Sequence, residues 1–217
     1  DKNDTIFYIS NGLIPKRAPG YNWKEVVPGD TKKTLWTETY DIEELPQVIQ
    51  PKSGYIYNAN HSPFYSSSES DNPLAENFSK DMNFETYHNN RSTRLYDLIN
   101  AFEAIGDQEF KTIKYDRQFP KPFQFNYVDI NAIDSISAAN YPELATLINE
   151  IQNWDRKADI DSYGAGAFAS LYFELQKIYS SLPEDKKVTE DQLITALRQV
   201  KEDLRTYFSA ERIQLGD

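Results

Sequence analysis

Two asparagines stand two residues apart in the run Gly54-Tyr-Ile-Tyr-Asn-Ala-Asn-His-Ser-Pro63. The side chains of Asn58 and Asn60 are neutral carboxamides, which donate hydrogen bonds without any change of protonation state. A site that stabilises the developing oxyanion of an acyl-transfer reaction uses donors of this kind. The alternative interpretation is that both asparagines cap the turn at Ser62-Pro63. The residues alone leave both interpretations open.

The composition excludes several other kinds of chemistry. The 217 residues contain no cysteine, so disulfides, zinc-cysteine sites and cysteine nucleophiles are ruled out. His61 and His88 are the only two histidines, which is too few for a histidine-rich metal site. The sequence also contains no phosphate-binding glycine loop, no GxSxG elbow and no HExxH motif.

The charge of the chain argues against nucleic acid as a partner. The formal net charge is −11, and no basic patch interrupts the acidic surroundings. A phosphate backbone would therefore be repelled. No apolar run approaches the roughly 20 residues that a membrane-spanning helix needs, so we expect no membrane span either.

Residues 1–65 predict a segment of short strands and loops that carries the two asparagines. Apolar, β-favouring runs indicate strands at Ile6–Ile9, Thr34–Tyr40 and Gly54–Asn60. If Gly54–Asn60 is a strand, its alternation places Asn58 and Asn60 on the same face.

Residues 66–217 predict a mainly helical segment, because apolar residues recur there at helical spacing. We expect Gly106 to end the first helix, Ser162 to precede the third, and Thr189 with Gln192 to form a capping box at the fourth. The order of strands followed by helices predicts an α+β fold. The four stripes are Leu95, Leu98, Ile99, Phe102 and Ile105; Leu144, Leu147, Ile148, Ile151 and Trp154; Phe168, Leu171, Tyr172, Leu175, Ile178 and Tyr179; and Leu193, Leu197, Val200, Leu204 and Phe208.

Several stretches, in the same order along the chain, resemble the penicillin amidase family, and within it the acyl-homoserine-lactone and aculeacin acylase branch. No single stretch is specific, but the ordered set is. The stretches are Gly12–Gly20, Thr34–Trp36, Leu45-Pro46 with Pro51, Gly54–Asn60, Glu85–Ser92, Phe110–Asp116, and Trp154-Asp155 with Asp161-Ser162.

The resemblance implies an N-terminal-nucleophile hydrolase that cleaves N-acyl amides, of penicillin or acyl-homoserine-lactone type, through an acyl-enzyme intermediate. It implies roles in antibiotic metabolism or quorum quenching and a periplasmic or secreted location. The nucleophilic serine and the upstream histidine of the family have no counterpart here. We therefore expect this chain to be an internal segment of the large subunit, with its strands part of the family's sheet. The expected partners are a small-molecule substrate, the small subunit and the nucleophile-bearing segment.

The resemblance also implies the site residues. Asn60 matches the oxyanion asparagine of the family, and Arg91 corresponds best to an arginine that supports the site. Ser92, beside Arg91, can cap the helix that follows. Asp71 stands near an acid that holds a structural calcium ion in some members, whose other ligands would lie outside this chain. No cofactor is otherwise required, and His61 is not expected to act in catalysis.

A second interpretation comes from a different class of protein, a secreted ligand- or carbohydrate-binding module. The chain holds 15 tyrosines, 12 phenylalanines and 3 tryptophans in an acidic background, and exposed aromatic rings can stack on sugars. This interpretation requires Tyr55, Tyr57, Phe64 and Tyr65 to form a flat exposed platform.

Overall fold

The computed structural model describes residues 2–120, 123, 130–180 and 188–217. The fold is α+β, as the sequence predicts: a small antiparallel sheet comes first and helices follow. The chain forms two compact units, Asp1–Leu95 and Tyr96–Asp217.

The first unit contains a two-stranded antiparallel sheet, made of β1 (Phe7–Ile9) and β2 (Gln47–Ile49). Tyr8 pairs with Val48, whose side chain is buried. Strand β1 confirms the strand predicted at Ile6–Ile9. Strand β2 was not predicted, because three residues after Pro46 are too few to show alternation.

The other two predicted strands are wrong for the described part of the chain. The Thr34–Tyr40 run begins at the end of a 3₁₀ turn and makes only an isolated bridge between Thr39 and Pro15. The Gly54–Asn60 run is irregular, and the amide of Tyr57 donates to the carbonyl of Ser66 across a loop. A β-favouring run becomes a strand only where a neighbour pairs with it, and propensity does not reveal the neighbour.

Short 3₁₀ turns connect most of the first unit, which also contains a small apolar core. The buried apolar side chains include Leu45, Val48, Tyr57, Phe64 and Met82. The turns are Lys32–Thr34, Ile42–Glu44, Pro63–Tyr65, Ala75–Asn77 and Lys80–Met82.

The first predicted helix is shorter than its apolar stripe. Helix α1 covers Asn90–Asn100, so Phe102 and Ile105 lie beyond it. The prediction for Gly106 is wrong, because this glycine does not end α1 but caps the start of α2 (Asp107–Lys114). The Gly106 amide donates to the side chain of Glu109 at 3.0 Å. Glycine is accepted at either end of a helix, and here the glutamate three residues later decides which end it marks.

The second unit is built on α3 (Ile130–Ser135), α4 (Ala145–Gln152), α5 (Tyr163–Tyr179) and α6 (Glu190–Asp203). A π-helical turn, Leu204–Phe208, extends α6. Two further 3₁₀ turns, Ala138–Asn140 and Pro142–Leu144, precede α4. None of the described helices is long and apolar enough to cross a membrane.

The second, third and fourth predicted stripes supply most of the core of the second unit, whereas the first stripe is not part of it and its Ile105 is 43% exposed. The predicted starts of α5 and α6 are confirmed. The Ser162 side chain accepts a hydrogen bond from Ala165 at the start of α5. Thr189 and Gln192 form the capping box of α6. In the fourth stripe Phe208 lies outside the core: its ring is 46% exposed, because the π-helical turn changes the phase of the stripe after Leu204. Fully buried members of the core include Leu144, Ile148, Ile151, Leu171, Leu175, Leu193 and Leu197.

Candidate active site

Asn58 and Asn60 lie in a tight turn in which they have different roles. Asn60 has a backbone φ of +54°, a left-handed conformation that asparagine tolerates better than most residues. The Oδ1 atom of Asn58 accepts a hydrogen bond from the backbone amide of Asn60 at 2.7 Å. This contact closes an Asx turn, so Asn58 is the residue that caps the turn.

His61 holds the same turn through both nitrogens of its ring. Nδ1 accepts from the amide of Ala59 at 3.0 Å, and Nε2 lies 2.9 Å from the carbonyl oxygen of Tyr65. Because Nδ1 accepts, the ring proton sits on Nε2 and is donated to Tyr65. The ring also stacks on Tyr57, with centroids 5.0 Å apart. His61 therefore has a structural role in the turn.

Further contacts to the turn come from Asn89, which immediately precedes helix α1. Its Nδ2 atom donates to the carbonyl oxygen of Asn60 at 3.0 Å and lies 3.4 Å from that of Ala59. The amide and carbonyl groups of Ala59 and Asn60 are thus all bonded to side chains, namely those of Asn58, His61 and Asn89.

Asn89 is itself held at the start of α1 by Ser92. Its Oδ1 accepts from the Ser92 amide at 2.8 Å, and its own amide donates to the Ser92 hydroxyl at 3.0 Å. These reciprocal bonds form a capping box with asparagine in the first position. The sequence indicated Ser92 as the cap, which is wrong: Asn89 caps α1 and Ser92 is its partner, completely buried.

The carboxamide of Asn60 remains available. The residue is exposed, and its side chain makes no hydrogen bond to any residue that the structure describes. The expectation that Asn58 and Asn60 share a strand face is wrong, because no strand forms there. Instead, Asn58 acts as an acceptor inside the turn, and the side chain of Asn60 is exposed. The turn-capping interpretation therefore holds for Asn58, and the oxyanion interpretation of Asn60 stays a prediction.

Arg91 lies in the first turn of α1, two residues after Asn89, and its side chain is exposed. The described residues supply no hydrogen bond or ion pair to its guanidinium. Arg91 follows by two residues the side chain that binds the Asn60 turn, and no described hydrogen bond joins Arg91 to that turn.

Asp71 serves a loop of the first unit. Its Oδ2 accepts from the amide of Ser53 at 2.9 Å and from the hydroxyl of Ser68 at 2.8 Å. The hydrogen bond from the Ser53 backbone is the main cause that lowers the pKa of Asp71 to about 2. The described residues contain no group of three or more acids or histidines that could hold a metal ion. The calcium role of Asp71 stays a prediction.

Comparison with known proteins decides the family. Residues 1–214 match the family model described as penicillin amidase. The chain belongs to the penicillin amidase family. It is also similar to penicillin G acylase from Escherichia coli, at 41% identity over 63 residues. That match covers 29% of this chain and 7% of the length of the relative.

In this member of the penicillin amidase family, the aromatic residues beside the turn do not form a platform. Tyr57 and Phe64 are buried, with 5% and 8% of their surface exposed. Tyr55 and Tyr65 are half-buried. The flat exposed surface required by the carbohydrate-binding interpretation is not present at these four residues.

Sequence analysis missed Asn89, whose side chain bonds to the turn that contains Asn60. The available signal was the spacing Asn89-x-x-Ser92 before an apolar helical stripe, which is typical of a capping box. Nothing in the sequence indicates that the same carboxamide also reaches a turn 29 residues upstream.

Proposed function

We propose that this chain is part of an acylase that hydrolyses N-acyl amide bonds, with Asn60 as a donor to the oxyanion. The observation that carries the proposal is the turn itself. In this turn, the backbone N–H and C=O groups of Ala59 and Asn60 are all hydrogen-bonded to side chains. The carboxamide of Asn60 is exposed and has no described partner. Donors fixed before the reaction stabilise developing charge without the cost of reorganisation.

In this proposal the nucleophile is the N-terminal serine of another segment of the acylase. Its oxygen attacks the amide carbonyl, one C–O bond forms, and the carbonyl electron pair moves onto the oxygen. The Nδ2 group of Asn60 donates to this oxyanion. Collapse of the intermediate expels the amine, which takes the proton lost by the serine, and water then hydrolyses the acyl-enzyme.

The proposed substrates are small N-acyl amides of penicillin or acyl-homoserine-lactone type. The proposed partner is the remainder of the acylase. The exposed guanidinium of Arg91 supports this proposed partner, since a planar fork of donors suits carbonyl or carboxylate groups supplied from outside this chain. An assembly of this kind requires exposed polar side chains on this chain, and Asn60 and Arg91 provide them.

The test is the Asn60→Gly variant of the full-length acylase. Glycine removes the carboxamide and keeps the left-handed backbone, whereas alanine would also strain the turn. We expect kcat to fall by roughly 10²–10³, with a much smaller change in KM, because the lost bond is strongest in the transition state. Steady-state kinetics on a chromogenic acyl amide measure both.

The matched control is Asn83→Gly, since Asn83 is also exposed and has a φ of +59°. It removes the same carboxamide from the same backbone conformation, and kcat should stay at the wild-type value. The oxyanion role is refuted if Asn60→Gly turns over normally or if both variants lose activity equally.

A further inference from the structure

We infer that Asn89 is a positioning residue for catalysis, acting by fixing the direction of the Asn60 side chain. The inference rests on the proposed function of Asn60 and adds to it a residue outside the asparagine motif. Asn89 lies 29 residues downstream of Asn60, is half-buried, and donates its Nδ2 group to the Asn60 turn.

The geometric reason lies in which peptide groups Asn89 binds. The carbonyl of Ala59 belongs to the peptide plane before the Asn60 Cα atom, and the carbonyl of Asn60 belongs to the plane after it. One Nδ2 group contacts both oxygens, at 3.4 and 3.0 Å. The relative orientation of these two planes is the φ and ψ of Asn60, and it sets the direction of the Cα–Cβ bond.

Asn89 can hold the turn because its own carboxamide is fixed. Its Oδ1 accepts from the amide of Ser92, and its backbone amide donates to the Ser92 hydroxyl. Ser92 is fully buried, and its hydroxyl also lies 3.1 Å from Nδ1 of His88. The Asn89 side chain therefore joins two elements: its Oδ1 atom bonds to the first turn of α1, and its Nδ2 atom bonds to the Asn60 turn.

Such a contact matters for rate because oxyanion donors work over a narrow range of distance, about 2.7–3.1 Å. A misplacement of about 1 Å can reduce the rate by roughly 10²-fold. Asn89 is neutral, so its removal changes the position of the Asn60 donor without adding or removing a charge near the site.

The experiment uses Asn89→Ser in the full-length acylase. Serine is as good a helix cap as asparagine but is too short to reach the Asn60 turn. We expect kcat to fall by about tenfold or more while KM changes by less than about twofold. The control is Thr189→Ala, which removes the cap of α6 and should lower Tm without changing kcat. An unchanged kcat in Asn89→Ser overturns the inference.

A double-mutant cycle separates the inference from the proposal on which it rests. If Asn89 acts only through Asn60, then Asn89→Ser has no further effect on kcat in the Asn60→Gly background. An equal loss in both backgrounds overturns the inference and leaves the role of Asn60 intact. A normal kcat in Asn60→Gly itself refutes the proposed function.

Asn89→Asp provides a second variant in case Asn89→Ser does not fold. Aspartate keeps the cap and loses the Nδ2 donor, and its oxygens repel the two carbonyls of the turn. We expect it to lower kcat at least as much as Asn89→Ser in a folded protein, as checked by circular dichroism. A folded Asn89→Asp with wild-type kcat overturns the inference.

Discussion

Asn58 and Asn60 carry the same carboxamide, yet the turn places the two side chains in different surroundings. The oxygen of Asn58 accepts from the Asn60 amide within the turn, and the side chain of Asn60 is exposed. This difference has a simple consequence. At position 58 we expect a short side chain with an acceptor to be sufficient. At position 60 the proposed function requires a donor.

We predict that Asn58→Ser retains most of the activity of the acylase and that Asn58→Ala does not. A serine hydroxyl can accept from the amide of residue 60, although more weakly than asparagine, while alanine leaves the turn without this bond. A lost hydrogen bond of this kind costs about 1 kcal/mol. Thermal unfolding and kcat, measured on both variants, check the prediction. Equal loss in the two variants would mean that the acceptor is not what the turn requires.

Helices α5 and α6 show what could be predicted at the scale of elements. Their apolar stripes and their caps at Ser162 and Thr189 lie within single segments, so the sequence contains the whole signal. The sheet and the Asn60 turn depend instead on partners far along the chain. Tyr8 pairs with Val48 in the sheet, and the carbonyl of Asn60 accepts a hydrogen bond from Asn89. Neither contact follows from a local sequence pattern.

The packing of α5 leads to a prediction at Gly166. A Cβ atom on this residue would overlap the carbonyl oxygen of Ile213 and lie 2.9 Å from the carbonyl carbon of Gln214. Alanine in a helix normally gains about 1 kcal/mol over glycine, but overpacking against backbone costs about 1–3 kcal/mol or more. We expect Gly166→Ala to lower the free energy of unfolding, as measured in urea.

Gly29→Ala is the control for Gly166→Ala. No atom lies within 4 Å of a Cβ placed at Gly29, so alanine there should leave stability unchanged or raise it by a few tenths of a kcal/mol. A stabilised Gly166→Ala protein would show that the Ile213 segment does not pack on α5 as described.

The Ser53–Ser68–Asp71 loop should be sensitive to acid. The folded pKa of Asp71 is about 2, below its ordinary value of 3.8, because the Ser53 amide and neighbouring hydroxyl groups bind the charged form. A lowered pKa contributes stability above pH 4, and this contribution is lost as the pH falls from about 4 towards 2. Unfolding curves across this range should show a smaller pH dependence for Asp71→Asn than for the wild type. Identical curves for Asp71→Asn and the wild type would contradict the lowered pKa of Asp71.

At the scale of the whole molecule, the net charge of −11 dominates the electrostatics. Self-repulsion of like charges destabilises a compact chain, and salt screens it over a Debye length of about 10 Å at 0.1 M. Salt also weakens exposed ion pairs such as Lys16–Glu44 and Arg205–Glu211, but each contributes only about 0–1 kcal/mol. We therefore predict that Tm rises between about 0.01 and 0.1 M sodium chloride. A Tm that falls would show that the ion pairs outweigh the repulsion.

The left-handed backbone at Asn60 limits which residues a selection experiment can recover there. A library at this position, sorted first for folded protein, should be enriched in asparagine, aspartate and glycine, the residues that accept this conformation most easily. A second sort for hydrolysis should retain asparagine, since glycine has no donor and aspartate brings a charge that repels the oxyanion. The left-handed backbone and the need for a neutral donor are thus two separate requirements at position 60, and we expect asparagine to satisfy both.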